Sequence, residues 1–405
     1  MGTEHGDTQR PGDGARAGIE AWPLEFSGRG GEFFRVWIVN LLLSVVTLGF
    51  YTPFARRRTA QYFYGHTLVA GSPLEFTAQQ RKMVVGFLLL VGLYAAFRIA
   101  AETGQDTTVA LMLLAAAVLA PYFWGSAMRF RLNATRWRGV RLQFAGRWSE
   151  VYRASWPVFA AALTWMAALG AIDRIFAATP REQMRQAVAP VLGIGLVALL
   201  LTVLWIIRLE FNYKSLLVKR GRIGGQPGRW KPVFGDFVRI WLATLGVFLA
   251  SLVLVVLAVA GALGGSFALS GKVRDMGLMA LLVGLALTVG AIALLFLASA
   301  PARAYREARM FRLVWDNIGV SQVARFKCRL RVGGYVALRV KNVLLTLLTL
   351  GFYRPFAMVS EYRMKTESVT LHVKGGLDQL AGQLAREEEG LGDAMADLAG
   401  LDLVG

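Results

Sequence analysis

Apolar and polar residues along this 405-residue chain are sorted into long blocks rather than mixed. Six blocks carry about 20 apolar residues with few or no charges, the length that crosses the roughly 30 Å hydrocarbon core of a bilayer as a helix. They are residues 83–101, 108–127, 156–178, 188–207, 240–264 and 277–300. Two further apolar runs, 36–55 and 336–357, are only just long enough. Between blocks the pattern changes. Residues 67–76 (Thr-Leu-Val-Ala-Gly-Ser-Pro-Leu-Glu-Phe) read as strand, turn, strand, and residues 135–144 repeat that spacing 68 positions later. A glycine at the turn with alternating apolar positions beyond it is the signature of a β-hairpin. Segments 24–28 and 369–373 look like single strands of the same kind, and 232–235 and 325–331 show the theme more weakly. The pattern predicts an all-α polytopic membrane protein: six transmembrane helices in three hairpins, two repeated segments that span or re-enter, and small cytoplasmic β-hairpins.

The two marginal runs match each other at an offset of 302. Residues 40–55 and 342–357 are identical at eleven of sixteen positions, sharing the Asn, the Thr-Leu-Gly-Phe-Tyr stretch and the Pro-Phe-Ala that follows. The matching copies cover 36–57 and 338–359. At these residues, and at the Arg56-Arg57-Arg58 cluster and the 67–76 hairpin, the chain resembles the YjgN-like family of bacterial inner-membrane proteins, whose domain has no assigned function. The likeness takes in most of the chain. It implies a location and an architecture, with residues 21–376 as one integral membrane domain between a disordered tail (1–20) and an acidic one (377–405). Two departures stand out: Phe54 and Phe356 where the family has Trp, and Met358-Val359-Ser360 in place of the triple arginine.

Charge sets the orientation. The chain carries 45 Lys and Arg against 26 Asp and Glu, yet is 55% hydrophobic and only 18% charged. That excludes a soluble nucleic-acid-binding protein, because so apolar a chain needs a bilayer. The four long loops 55–82, 128–155, 208–239 and 301–335 hold 28 Lys and Arg, against four in the short loops 102–107, 178–187 and 264–276. Basic loops stay cytoplasmic. Trp124, Trp156, Trp205 and Trp241 then fall at the inner ends of spans, where an amphipathic ring prefers the headgroup zone. Basic residues flank both repeated segments on both sides, which suits segments that enter and leave on one face and puts both termini in the cytoplasm. Two ordinary spans with the termini outside is the alternative.

Candidate chemistry is sparse. A single cysteine, Cys328, and three histidines exclude a disulfide framework and leave little for a metal site. No phosphate loop, zinc-protease or serine-hydrolase motif is present, and nothing calls for a cofactor. Asn40, Thr47, Gly49, Asn342, Thr349 and Gly351 are the polar and permissive positions in the repeated runs. Paired there, they suit coordination of a small polar solute or ion, or hydrogen bonding and capping of broken helices. Arg98, Asp173 and Arg174 lie in outer halves of spans, either as an Arg98–Asp173 pair or snorkelling to headgroups. Arg129, Arg131, Arg136, Arg138 and Arg141, with Trp137 among them, form either an anionic-lipid platform or a set of topology charges. Transport or permeation of a small solute is one functional reading. A membrane scaffold or anionic-lipid organiser is the other, with enzymatic activity leaning to no. The partners expected are membrane lipids and no nucleic acid, with a homo-oligomer admitted. The acidic tail either docks as a helix on the basic hairpins or stays solvated.

Overall fold

The computed structural model describes residues 19–180, 183–263, 277–320 and 324–374, with Gly382. Strand β1 (Ile19–Phe26) is followed by helices α1 (Gly30–Val46) and α2 (Thr52–Gly65), which lead back to the hairpin β2 (Thr67–Val69) and β3 (Ser72–Phe76). The same departure and return occurs four more times. Helices α3 (Gln80–Glu102) and α4 (Asp106–Asn133) lead to β4 (Thr135–Trp137) and β5 (Val140–Phe144). Then α5 (Trp148–Ala154), α6 (Trp156–Ala178) and α7 (Met184–Arg220) lead to β6 (Gly221–Ile223) and β7 (Gln226–Arg229). Next α8 (Phe234–Leu263) and α9 (Gly277–Asn317) lead to β8 (Gly319–Val320) and β9 (Ala324–Cys328). Finally α10 (Val332–Leu348) and α11 (Arg354–Thr366) lead to β10 (Val369–Lys374). Each strand pairs antiparallel with the next in sequence, and β10 pairs with β1, so ten strands close into one barrel.

This corrects the all-α expectation on two counts. The hairpins are not separate: they join with β1 and β10 into a closed ten-stranded barrel. A two-stranded hairpin is marginal in water, and closure removes the unpaired edges that each would otherwise expose. Among the described residues five helices, not six, are long and apolar enough to cross a membrane: α3, α4, α6, α7 and α8. The sixth expected span, 277–300, falls in α9, where most side chains lie outside the described residues, as do the outer loop 264–276 and nearly all of both tails.

Register shows how the barrel is filled. Directly opposed residues share a face. Leu24 lies opposite Val69, Leu74 opposite Trp137, Val320 opposite Ala324, Leu371 opposite Phe326 and Val369 opposite Cys328. These side chains from around the whole ring meet in one apolar cluster, joined by Ala304, Ala308 and Tyr335 from α9 and α10. The lumen is therefore packed side chains rather than a pore. The indole N–H of Trp137 donates to the Val69 carbonyl at 3.1 Å inside it. The other face is basic: Arg136 opposes Glu75 and Arg141, Arg222 opposes Gln143, and Arg325 opposes His372. The tight hairpin turns Ala70-Gly71 and Arg138-Gly139 have φ of 49° and 73°, and 48° and 82°. Both central residues are left-handed, the turn that matches strand twist.

Each of the two matching runs is a helix, a turn and a helix returning beside the strand it left. Their turns superpose in kind: Leu48 and Leu350 both have φ of 49°, with Gly49 at 91° and Gly351 at 97°. With 17 residues in α1 and in α10, these hairpins reach about 25 Å, and their tips are apolar and open: Leu48 is 89% exposed and Leu350 91%.

Barrel closure is testable through β1 and β10. Ala21 lies opposite His372, and opposed Cα atoms about 4.5–5.5 Å apart are within disulfide reach. Ala21→Cys with His372→Cys, in a Cys328→Ser background, should link under mild oxidation. After proteolysis the terminal fragments should stay joined on a non-reducing gel. Cysteines that remain free would show that the ring is open there.

Candidate functional site

Because β10 pairs with β1, the first and last helical hairpins are neighbours despite being 302 residues apart. Phe34 stacks on Phe356 with ring centroids 5.7 Å apart, and Trp37 meets Phe352 edge-on at 6.3 Å. The Thr67 and Tyr362 hydroxyls are 2.9 Å apart, and Arg363 donates to the Gly28 carbonyl at 2.6 Å. A cavity of about 840 Å³ opens where these two hairpins meet α3 and α4. Its walls are mostly apolar, with Trp37, Leu41, Phe63, Met83, Phe130 and Met358 among them. Its polar groups are Asn40, Ser44, Thr52, Arg56, Thr59, Arg131, Glu361 and Lys365.

The two hairpins satisfy their conserved-in-kind asparagines differently. Fully buried Asn342 donates through Nδ2 to Glu361 Oε1 at 2.9 Å, Ser360 Oγ at 3.1 Å and the Ala357 carbonyl at 3.4 Å. Glu361, also buried, pairs with Arg339. In the first hairpin the positions 302 residues earlier are Trp37, Arg58 and Thr59 in place of Arg339, Ser360 and Glu361. Asn40 therefore reaches only the Ala55 carbonyl, at 3.4 Å, and its Oδ1, like that of Asn342, has no partner. Of the two asparagines, Asn40 lines the cavity. At its lower edge Lys365 donates to Glu307 at 2.7 Å. Burial alone would raise the Glu307 carboxyl, but the Lys365 hydrogen bond and charge hold it below the usual carboxylate range. Burial, reinforced by the Glu307 charge, pushes the adjacent Tyr335 phenol up.

The other sequence candidates separate by location. Thr47 and Thr349 build the hairpin tips: each hydroxyl donates at 2.7 Å to the carbonyl four residues back, Leu43 and Leu345, and accepts at 2.9 Å from the amide of Tyr51 or Tyr353. Gly49 and Gly351 supply the left-handed residue of the same turns. Arg98 pairs with Glu102 at 2.5 Å on its own helix, not with Asp173, and Asp173 and Arg174 are exposed. Arg129 donates to the Gly146 carbonyl at 2.7 Å and lies over the Trp148 ring at 4.0 Å, fastening α4 to α5. Arg136 and Arg141 are on the outer barrel face, while Trp137 points into the core. Arg138 sits in the hairpin turn, bonded to Ser72 Oγ at 2.8 Å. Arg131 alone of that set lines the cavity. Buried Cys328 is part of the barrel core, and the described residues contain no cluster of three or more metal-ligating side chains. The tryptophans assigned to the inner interface join helices: Trp124 stacks on Tyr213 at 4.0 Å, Trp156 meets Trp205 at 5.3 Å, and Trp241 donates to Glu210 at 2.9 Å.

Sequence reasoning missed Thr59, Glu361 and Lys365, and treated Arg56 only as one of a cluster. The signal lay in the positions where the matching segments and their flanks differ: Trp37 against Arg339, Arg56 against Met358, Thr59 against Glu361.

Comparison with known proteins gives a family and distant relatives. The family described as "Bacterial protein of unknown function (DUF898)" matches residues 21–398. The chain is 26% identical over 146 residues to inner membrane protein YjgN of Salmonella typhimurium (strain LT2), covering 36% of each protein. It is also 26% identical over 119 residues to inner membrane protein YjgN of Escherichia coli O157:H7, covering 29% of this chain and 30% of that protein. The matches thus span about a third of the length of these curated relatives. No solved structure matches.

The difference between the asparagines has a measurable consequence. Hydrogen bonds to charged groups contribute about 1.5–3 kcal/mol and neutral ones about 1. Asn342→Leu should therefore lower stability in detergent by about 2 kcal/mol or more, and Asn40→Leu by no more than about 1 kcal/mol. Equal losses on chemical unfolding would show that Glu361 contributes nothing through Asn342.

Proposed function

The chain belongs to the DUF898 family of bacterial proteins of unknown function, and on that footing we propose that it is an inner-membrane protein that binds and organises anionic lipid around its barrel. The location is supported by the names of its relatives, inner membrane protein YjgN, together with five helices long and apolar enough to span. The barrel lies on the cytoplasmic side in this reading, because the loops that form it carry the Lys and Arg excess.

The observation that carries the lipid role is the division of the barrel into an apolar, filled inside and a basic outside. Arg136 stands three residues past the end of α4, and Arg222 two past the end of α7. Both are within about 10 Å of the ends of those helices, at about 3.3 Å per strand residue, beyond apolar spans that end at residues 127 and 207. There the ring of cations acts on anionic headgroups as a screened field, stronger at low salt. The packed lumen offers no path for a solute, and Thr47, Gly49, Thr349 and Gly351 are engaged in the turns of their own hairpins, so the lipid role accounts for more of the molecule than transport does.

Two experiments bear on this. In intact cells of a Cys328→Ser background, a cysteine at Ser72 or Thr370 should resist an impermeant thiol reagent until the membrane is permeabilised, while one at Gln105 should react at once. The reverse pattern would invert the orientation. In nanodiscs of mixed phosphatidylglycerol and phosphatidylcholine, Arg136→Gln with Arg222→Gln should lower the enrichment of the anionic lipid around the protein, and added salt should do the same to the wild type. An unchanged lipid ratio, or solute flux above that of empty vesicles, would count against the lipid role and for transport.

A further inference from the structure

The cavity beside Asn40 has the chemistry of one particular ligand. Its charges are not all neutralised internally. Glu361 is taken by Arg339 and Lys365 by Glu307, but Arg56 and Arg131 form no ion pair among the described residues. The same walls carry the amide of Asn40, only 6% exposed, whose Nδ2 gives one N–H to the Ala55 carbonyl and has a second to give, and the hydroxyl of Thr59. Two cations, a hydroxyl and an amide N–H are donors that suit the oxygens of a phosphate ester. The rest of the wall is apolar, which a free anion does not use and a lipid does.

Depth points to the same ligand. The apolar part of α1 begins at Val36, so Asn40, four residues on, lies about 6 Å into it. Its bond to the Ala55 carbonyl places Arg56 at that level. The long Arg56 side chain spans about that distance back to the hydrocarbon boundary, where the phosphate and glycerol of a phospholipid lie. Above this level the two adjacent hairpins stop. α1 and α10 have 17 residues each, whereas neighbouring α3 and α4 have 23 and 28, a difference of about 9 Å or more. The short pair leaves room beyond the exposed tips at Leu48 and Leu350 for acyl chains against the longer helices.

We infer that this cavity is a discrete site for the phosphate headgroup of one anionic phospholipid of the barrel-side leaflet, held between Arg56 and Arg131 with Asn40 at its floor. The inference deepens the lipid-binding reading and rests on it, but it concerns one saturable position instead of a diffuse basic surface. The matching hairpin carries Met358 where this one has Arg56, so it lacks the cation of the site.

The test uses the full-length chain, stripped of lipid in detergent and titrated with phosphatidylglycerol, with phosphatidylcholine of the same acyl chains, and with inorganic phosphate. Native mass spectrometry counts bound lipid and thermal unfolding follows affinity. One phosphatidylglycerol should bind in preference to phosphatidylcholine. Arg56→Met, which installs the residue of the matching hairpin, and Arg131→Gln should each weaken it by about tenfold or more, with Arg56→Lys restoring most of the loss. Equal affinity for the two lipids, or no change in either variant, overturns the inference. Saturation by inorganic phosphate with the same affinity overturns the lipid as its source. The double variant Arg136→Gln with Arg222→Gln separates the two readings. One tight lipid that survives it supports the cavity whatever becomes of the surface enrichment, whereas loss of that lipid along with the enrichment assigns it to the outer face and overturns the cavity site.

Discussion

Everything in this molecule depends on closing the sheet. Several strands are only two or three residues long, and none would hold its hydrogen bonds alone. Once β10 meets β1, no backbone edge is left unpaired at either side, and the inward faces supply a shared core. Closure also dictates the membrane part. Neighbouring strands run antiparallel, so each helical excursion has to come back to the side it left, and every membrane element is a hairpin or a hairpin with a short lead-in helix. The helices do not define a bundle that the strands decorate; the ring of strands fixes where each helix begins.

That dependence explains what could be read in advance. Long apolar blocks are local signals, and α3, α4, α6, α7 and α8 follow them closely. The 67–76 and 135–144 hairpins were legible for the same reason, through Gly71 and Gly139 at turns that need left-handed backbone. The barrel was not. The pairings that complete it join strands separated by 40 to more than 300 residues, such as Phe26 with Thr67 and Trp22 with Leu371. β8, at two residues, has no pattern to read. Trp137 illustrates the limit: among five arginines its local context suggests a headgroup anchor, while alternation along β4 turns it inward, away from Arg136 and Arg138.

The site shows a related limit. Identity between the two repeated segments drew notice to Asn40, Thr47, Gly49 and their counterparts, which build the hairpin turns and tie the arms together. The capacity to bind something arises where the segments differ. Arg339 and Glu361 complete the interior of the last hairpin, and their absence from the first leaves an amide, a hydroxyl and a cation facing an open space. Proximity of the two hairpins, itself a product of the β1–β10 pairing, gives that space its second wall from α11.

The pairing of β1 with β10 also governs the order of assembly during synthesis. The first strand is made at Ile19 and its closing partner only at Val369, so β1 emerges roughly 350 residues before β10 exists. The helices have to enter the bilayer one hairpin at a time while the ring on the other side grows strand by strand with both of its edges bare. Contacts of such long sequence separation form slowly, and unpaired strand edges are where partly folded chains associate wrongly. The last fifty or so residues of the described chain, from β9 to β10, are therefore the latch of the whole molecule, and a ribosome that stops short of them releases an open arc.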